Sequence, residues 1–186
     1  MSSVETSERQ RLAQIVQTES IKRGDFVLAS GRRSSYYLDC RRTTLHPEGA
    51  YLVGRLTFEA IRQESWNPHA VGGLTLGADP MATATSLISF QAGNPWAAFI
   101  VRKESKQHGT GQRIEGCPAP GSRVVILEDV ITSGGSALIA HDACVEAGLV
   151  VVGCVAIVDR EEGGRAAIEA RGVPVRALFT ASELLG

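Results

Sequence analysis

The sequence predicts an α/β domain built on a doubly wound, mainly parallel sheet with helices on both faces. Three observations carry that expectation. Runs at 70–74, 96–101, 123–127 and 149–158 are apolar at nearly every position, the pattern of strands buried on both faces. Segments of helical spacing lie between them, as right-handed crossovers between parallel strands require. No internal repeat, low-complexity tract or long linker divides the 186 residues, so one domain over 1–186 is expected.

The elements follow in order. Ser7 with Gln10 resembles a capping box, and Leu12, Ile15 and Val16 then recur at helical spacing, so a first helix is expected to run to about Arg23. The Gly, Ser and Arg-rich passage 24–39 breaks short apolar pieces with turn residues and reads as a short-stranded flap. Pro47 can open a second helix whose Leu52, Val53, Leu56, Ala60 and Ile61 form one apolar stripe, ending before Asn67-Pro68. A strand over 70–74 precedes Asp79-Pro80, which reads as a helix cap and first position. The strand at 96–101 leads into an irregular segment, 102–121, rich in glycine and carrying Pro118 and Pro120. In a compact domain a loop of that length serves as a lid or binding loop, or is disordered. The strand at 123–127 is followed by a helix over 136–147 and the strand at 149–158.

Composition limits the function. With 44% hydrophobic and 21% charged residues the chain can bury a sizeable core. Its formal charge of -1 gives no electrostatic reason to seek nucleic acid or an acidic membrane, so any basic site must be local. The first ten residues lack the basic-then-apolar layout of a signal peptide, and no apolar run approaches a membrane span. A cytoplasmic protein is expected. Cys40, Cys117, Cys144 and Cys154 form no C-x-x-C pair and have no histidine at ligand spacing, so buried reduced thiols are expected in place of a zinc site or disulfides. His46, His69 and His141 are isolated and read as structural or exposed, and Asp142 and Glu146 as a solvated helix face.

The stretch V-V-I-L-E-D-V-I-T-S-G-G-S-A, 124–137, carries the chemistry. Glu128 and Asp129 follow four large apolar residues, at the strand end where open parallel sheets bind ligands. Gly134-Gly135 lets the backbone turn tightly at a helix start, and Thr132, Ser133 and Ser136 add hydroxyls, which together make a phosphate cradle. Carboxylates beside a phosphate repel it, so they need another task, and accepting from sugar hydroxyls or metal-bound water fits. A ribose phosphate follows. The order excludes a P-loop, G-x-x-x-x-G-K-[ST], and a dinucleotide G-x-G-x-x-G. A polar turn that merely caps a helix would explain Ser133 or Gly134 alone, but not two acids behind an apolar run.

This stretch is similar to the signature with which type I phosphoribosyltransferases bind 5-phosphoribosyl 1-diphosphate (PRPP). There the two acids contact the ribose hydroxyls and the following loop holds the 5′-phosphate. The resemblance implies PRPP binding by Glu128, Asp129, Val130, Ile131, Thr132, Ser133, Gly134, Gly135 and Ser136. A second stretch, R-K-E-S-K-Q-H-G over 102–109, resembles the mobile catalytic loop of the orotate phosphoribosyltransferases, and that loop is expected over 102–116. The passage 26–39 resembles that family's N-terminal hood, expected mainly within 1–45, and V-D-R-E, 158–161, its orotate-binding turn.

Arg102, Lys103, Lys106, His108 and Asp129 are then the implied catalytic residues, with Thr132 and Arg160 facing orotate. The implied reaction converts orotate and PRPP to orotidine 5′-monophosphate and pyrophosphate. Magnesium would sit mainly on the PRPP and pyrophosphate oxygens, with Glu128 and Asp129 reaching it through water. The family further implies a homodimer whose subunits share active sites, and no nucleic acid or membrane partner.

The chemistry of the residues agrees. Departure of a polyanion from an oxocarbenium-like centre needs cations on a closable loop, which the run 102–109 offers, and a solvated basic loop is its plainer alternative. Arg160 after Asp159 can take a pyrimidine carboxylate in a bidentate way, or can merely pair with Glu161. Tyr36 and Tyr37 can close over a base or pack the hood. Two departures stand out: Ala29 lies where several relatives carry a lysine, and T-L-G-A, 75–78, replaces a lysine-containing pyrophosphate loop. A phosphoribosyltransferase for another base, or a regulator that only senses PRPP, remain alternatives. A carboxylate-reading Arg160 opposes the first, and the retained catalytic loop opposes the second.

Overall fold

In the computed structural model, which describes residues 3–27, 33–104, 113–116 and 118–186, the N-terminal segment forms a helix and a hairpin. Helix α1, Ser3–Ile15, passes through a π-helical turn, Val16–Ser20, into strand β1, Ile21–Val27. Strand β2, Arg33–Leu38, returns antiparallel, with Ile21 opposite Leu38 and Arg23 opposite Tyr36. The expected flap is therefore a two-stranded sheet. Two details of the expected first helix are corrected: Ser7 lies inside α1, and Arg23 belongs to β1. The pairing with β2 satisfies the backbone groups that continued helix would have used.

Helix α2, Arg41–Thr44, leads to α3, Pro47–Gln63, which starts at its proline and buries Leu52, Val53, Leu56, Ala60 and Ile61 as the stripe predicted. His46 caps α3, its Nδ1 accepting from the Gly49 amide at 3.3 Å, and His69 Nδ1 accepts from the Arg123 amide at 3.0 Å. Both histidines are structural, as expected.

The main sheet comprises β3, Ala70–Leu74; β4, Ala97–Val101; β5, Ile114–Glu115; β6, Arg123–Ile131; β7, Val150–Asp159; and β8, Val175–Thr180. Helices α4, Ala78–Gln91; α5, Gly135–Glu146; α6, Gly164–Glu169; and α7, Ala181–Leu185 follow β3, β6, β7 and β8. The strand order is β5-β4-β3-β6-β7-β8, and only β5 runs antiparallel to its neighbour. Alternation along β6 feeds two apolar layers. Val125 and Leu127 join Leu52, Val53 and Met81 of α3 and α4, while Val124 and Ile126 join Ala137, Ala140 and Ile168 of α5 and α6. This is the doubly wound architecture expected.

Two boundaries and one strand differ most from expectation. The strand expected over 123–127 runs on to Ile131, because β7 continues to pair with it as far as Ile131 opposite Asp159. Asp79 is not the cap of α4: Gly77 holds that position, and Asp79 instead accepts from Thr75 Oγ1 at 2.7 Å. The edge strand β8 had no counterpart in the sequence pattern.

The N-terminal segment is tied to β8 and α7. Arg9, Gln17 and Arg23 donate to the carbonyls of Leu178, Leu184 and Leu185 at 2.9, 2.9 and 2.8 Å. Cys40, Cys144 and Cys154 are buried and free, and Cys117 lies outside the described residues. No helix among the described residues is long and apolar enough to cross a membrane.

Candidate active site

Strand order reverses between β3 and β6, and their carboxyl ends diverge there. β3 pairs with β6 only as far as Gly72 opposite Ile126, so Glu128 and Asp129 stand beyond the last residue paired with β3, at the crevice. A cleft of about 300 Å³ opens at this point. Glu128, Asp129 and Val130 form one wall, and Thr132 and Ser136 contribute hydroxyls from the start of α5. Arg160 comes from the end of β7, Thr75 to Gly77 from the loop after β3, and Lys103 from the segment after β4. The hairpin side supplies Tyr37, Leu38, Asp39 and Arg41.

The turn expected to cradle a phosphate is built as its glycines demand. Gly134 caps α5 at φ +81°, where side chains are strained. A β-carbon there would also lie 2.8 Å from the Gly164 carbonyl oxygen, at the start of α6. The amides of the first turn of α5 have no intrahelical partner and carry the positive end of its dipole. Ser133, Gly134 and Gly135 make the turn itself and do not line the cleft, while Ile131 is buried in the core.

The acid pair is held in an uncompensated state. Glu128 is only 8% exposed, and burial, then the charge of Asp129, push its carboxyl well above the usual range. Burial also raises Asp129, although its interaction with the neighbouring Glu128 carboxyl and the Val130 amide draws it back down. Asp129 Oδ1 accepts from the Val130 amide at 2.9 Å. Arg41 draws Asp129 downward, but its Nε and Nη2 are already taken by Asp39 at 2.7 and 3.0 Å. Two hydroxyl donors, or cation-bound water, would relieve this pair.

Gly77 explains one of the two departures. A β-carbon on it would lie 2.5 Å from Asp129 Oδ1, so no side chain enters without displacing the carboxylate. The lysine of other pyrophosphate loops has no room at this position. Ala29, the other departure, lies outside the described residues.

Arg160 is buried, 8% exposed, and its partner is Glu162 rather than Glu161. Glu161 instead accepts from the Ser182 amide at 2.8 Å. Tyr36 stands with its ring 4.6 Å from the Arg160 guanidinium carbon, and Tyr37 lines the cleft with Phe26 beside it at 5.8 Å.

Of the expected loop residues, Lys103 reaches the cleft. The Arg102 guanidinium meets Glu115 at 2.8 Å across the loop base, while Lys106 and His108 lie outside the described residues. Asp39, Arg41 and Glu162 were missed. The D-C-R-R run at 39–42 was a signal for the first two, since adjacent arginines beside a flap are where a local basic site belongs.

No family model matches the chain. Curated relatives do. The orotate phosphoribosyltransferase of Aquifex aeolicus is 50% identical over 181 residues, covering 96% of this chain and 98% of the relative. The chain belongs to the orotate phosphoribosyltransferase family. The enzyme of that family from Thermosynechococcus vestitus is 51% identical over 177 residues, covering 95% of this chain and 92% of its own. The crystal structure of Mycobacterium tuberculosis H37Rv orotate phosphoribosyltransferase in complex with PRPP superposes with a TM-score of 0.81. It shares 42% identity with this chain and covers 96% of this chain and 99% of its own.

Proposed function

We propose that the protein transfers the 5-phosphoribosyl group from PRPP to orotate, giving orotidine 5′-monophosphate and pyrophosphate, a step of pyrimidine biosynthesis. The observation that carries this reading is the sharing of one cleft by the Glu128–Asp129 pair and Arg160. Ribose hydroxyls donate to the two carboxylates. The 5′-phosphate sits on the free amides of α5 with Thr132 and Ser136. Orotate places its carboxylate on Arg160 and its ring near Thr132. The C1–oxygen bond to pyrophosphate breaks with its electron pair leaving on pyrophosphate, and deprotonated N1 of orotate bonds to C1. Backbone amides of the Thr75–Gly77 loop and the cations of the loop 102–116, Arg102, Lys103, Lys106 and His108, take the departing charge.

Magnesium, carried by the substrate's diphosphate and reached by Glu128 and Asp129 through water, would supply charge neutralisation for the leaving group. The uncompensated acid pair suits metal-bound water, and the substrate would supply most of the ligands. A cytoplasmic location and no nucleic-acid or membrane partner complete this reading. A homodimer with shared sites is supported by an apolar groove beside the cleft, lined by Leu45, Leu76 and Leu87, which are 73%, 67% and 60% exposed. A monomer mass in sedimentation equilibrium would remove the dimer.

The function is tested by following orotate absorbance with PRPP and magnesium, beside uracil, adenine and hypoxanthine as acceptors. Orotate alone is expected to be consumed. Preference for another base, or PRPP binding without turnover of any, would overturn the assignment.

A further inference from the structure

The buried Arg160 is held on more sides than binding an anion requires. Its backbone is fixed first: the Arg160 amide donates to the Ile131 carbonyl at 2.9 Å, which links the ends of β6 and β7. Asp159 Oδ1 accepts from the Glu161 amide at 2.8 Å, and Glu161, at φ +60°, is anchored to the Ser182 amide. The side chain is fixed next. Glu162 Oε1 lies 2.9 Å from Arg160 Nε, an ionic contact off the N–H direction, and both side chains are shielded, at 6% and 15% exposure. The Tyr36 ring covers the guanidinium face at 4.6 Å. The two Nη nitrogens make no hydrogen bond among the described residues, so that edge is the one available to a carboxylate ligand.

We propose that Glu162 and Tyr36 are positioning residues that hold the Arg160 guanidinium with its Nη edge presented to the carboxylate of the acceptor base. The proposal rests on orotate being that base. A carboxylate so close to Arg160 would, by charge alone, weaken attraction for an anionic substrate. Its place at Nε leaves the opposite edge free, however, and a flexible arginine that is already ordered loses less on binding. Tyr36 reaches Arg160 from the hairpin, so hairpin placement also sets the affinity for the base. This separates the two tyrosines: Tyr37 lines the cleft, and Tyr36 acts through Arg160.

The test is steady-state kinetics of Glu162→Ala, Glu162→Gln, Tyr36→Leu and Tyr36→Phe, with thermal melts to confirm folding. KM for orotate is expected to rise about tenfold in Glu162→Ala and Tyr36→Leu, the loss of one charge-assisted or cation–π contact. Values of kcat and of KM for PRPP are expected to stay within about twofold, since neither residue meets PRPP. Tyr36→Phe keeps the ring and is expected to match wild type, and Glu162→Gln is expected to fall between wild type and Glu162→Ala. An orotate KM unchanged or lowered in both Glu162 variants would mean that Glu162 only neutralises or competes, and would overturn the proposal. Equal loss for orotate and PRPP in Tyr36→Leu would make its role structural and overturn that half. A wild-type protein inactive on orotate would overturn the functional reading itself, which these variants leave separate.

Discussion

The ends of β6 and β7 lie side by side in the sheet, yet they present buried charge in opposite ways. At the end of β6, Glu128 and Asp129 face each other in a shielded wall, and both carboxyls are raised by burial. At the end of β7, Arg160 is as deeply buried but already has Glu162 and Tyr36 against it. One end is completed only by a ligand; the other is compensated in advance. A charge paired within the protein keeps its geometry without substrate, whereas an unpaired acid pair makes stability and protonation depend on what binds.

Removing the β7 charge has the largest expected effect. Arg160→Leu removes the proposed partner of the orotate carboxylate, at about 2–5 kcal/mol for a buried pair, so orotate turnover is expected to collapse. Steady-state assays at saturating PRPP check this, and turnover within a few-fold of wild type would mean that another group reads the base.

Crowding the β6 end comes next. Gly77→Ala pushes a methyl group against Asp129 Oδ1, and KM for PRPP is expected to rise roughly tenfold, about 1.4 kcal/mol, with little change in the melting temperature. An unaltered KM would show that the loop after β3 gives way in place of the carboxylate.

The smallest effect is on pH. A carboxyl raised on folding binds its proton more readily in the folded than in the unfolded chain. Its stabilisation is full below the ordinary carboxylate range, about pH 4, and is lost as pH rises through the raised value. Relative to Glu128→Gln, ligand-free wild type is therefore expected to lose roughly 1 kcal/mol per pH unit above about pH 4 until Glu128 ionises. Denaturant melts of both proteins measure that difference. No difference between them would mean that Glu128 titrates normally. Magnesium PRPP is expected to flatten the wild-type trend, because its hydroxyls and hydrated metal stabilise the charged pair.

How far the sequence reached depended on how local each cause was. Strands β3, β6 and β7 were visible because both faces are buried, which leaves unbroken apolar runs, and α3 because Pro47 and one stripe mark it. Strand β1 was not, since five of its seven residues are exposed, the lysine, arginine and glycine among them, so no apolar alternation marks it and it is shaped by pairing with β2. The acid pair and Arg160 were found from strand ends followed by glycines and from family resemblance. Arg41, Glu162 and the stacking of Tyr36 were not, because each depends on a contact that only the folded chain creates. Gly77 was noticed as a missing lysine, but its reason, the Asp129 carboxylate against its α-carbon, is a tertiary one.

The division of labour between the two strand ends is tested most directly by calorimetric titration of magnesium PRPP into wild type, Asp129→Asn and Arg160→Leu. Asp129→Asn removes the charge proposed to accept from the ribose hydroxyls, so its affinity is expected to fall at least tenfold, about 1.5–3 kcal/mol, while Arg160→Leu stays within about threefold of wild type. Equal losses in the two variants, or an Asp129→Asn protein that binds as wild type does, would contradict the assignment of ribose to β6 and base to β7.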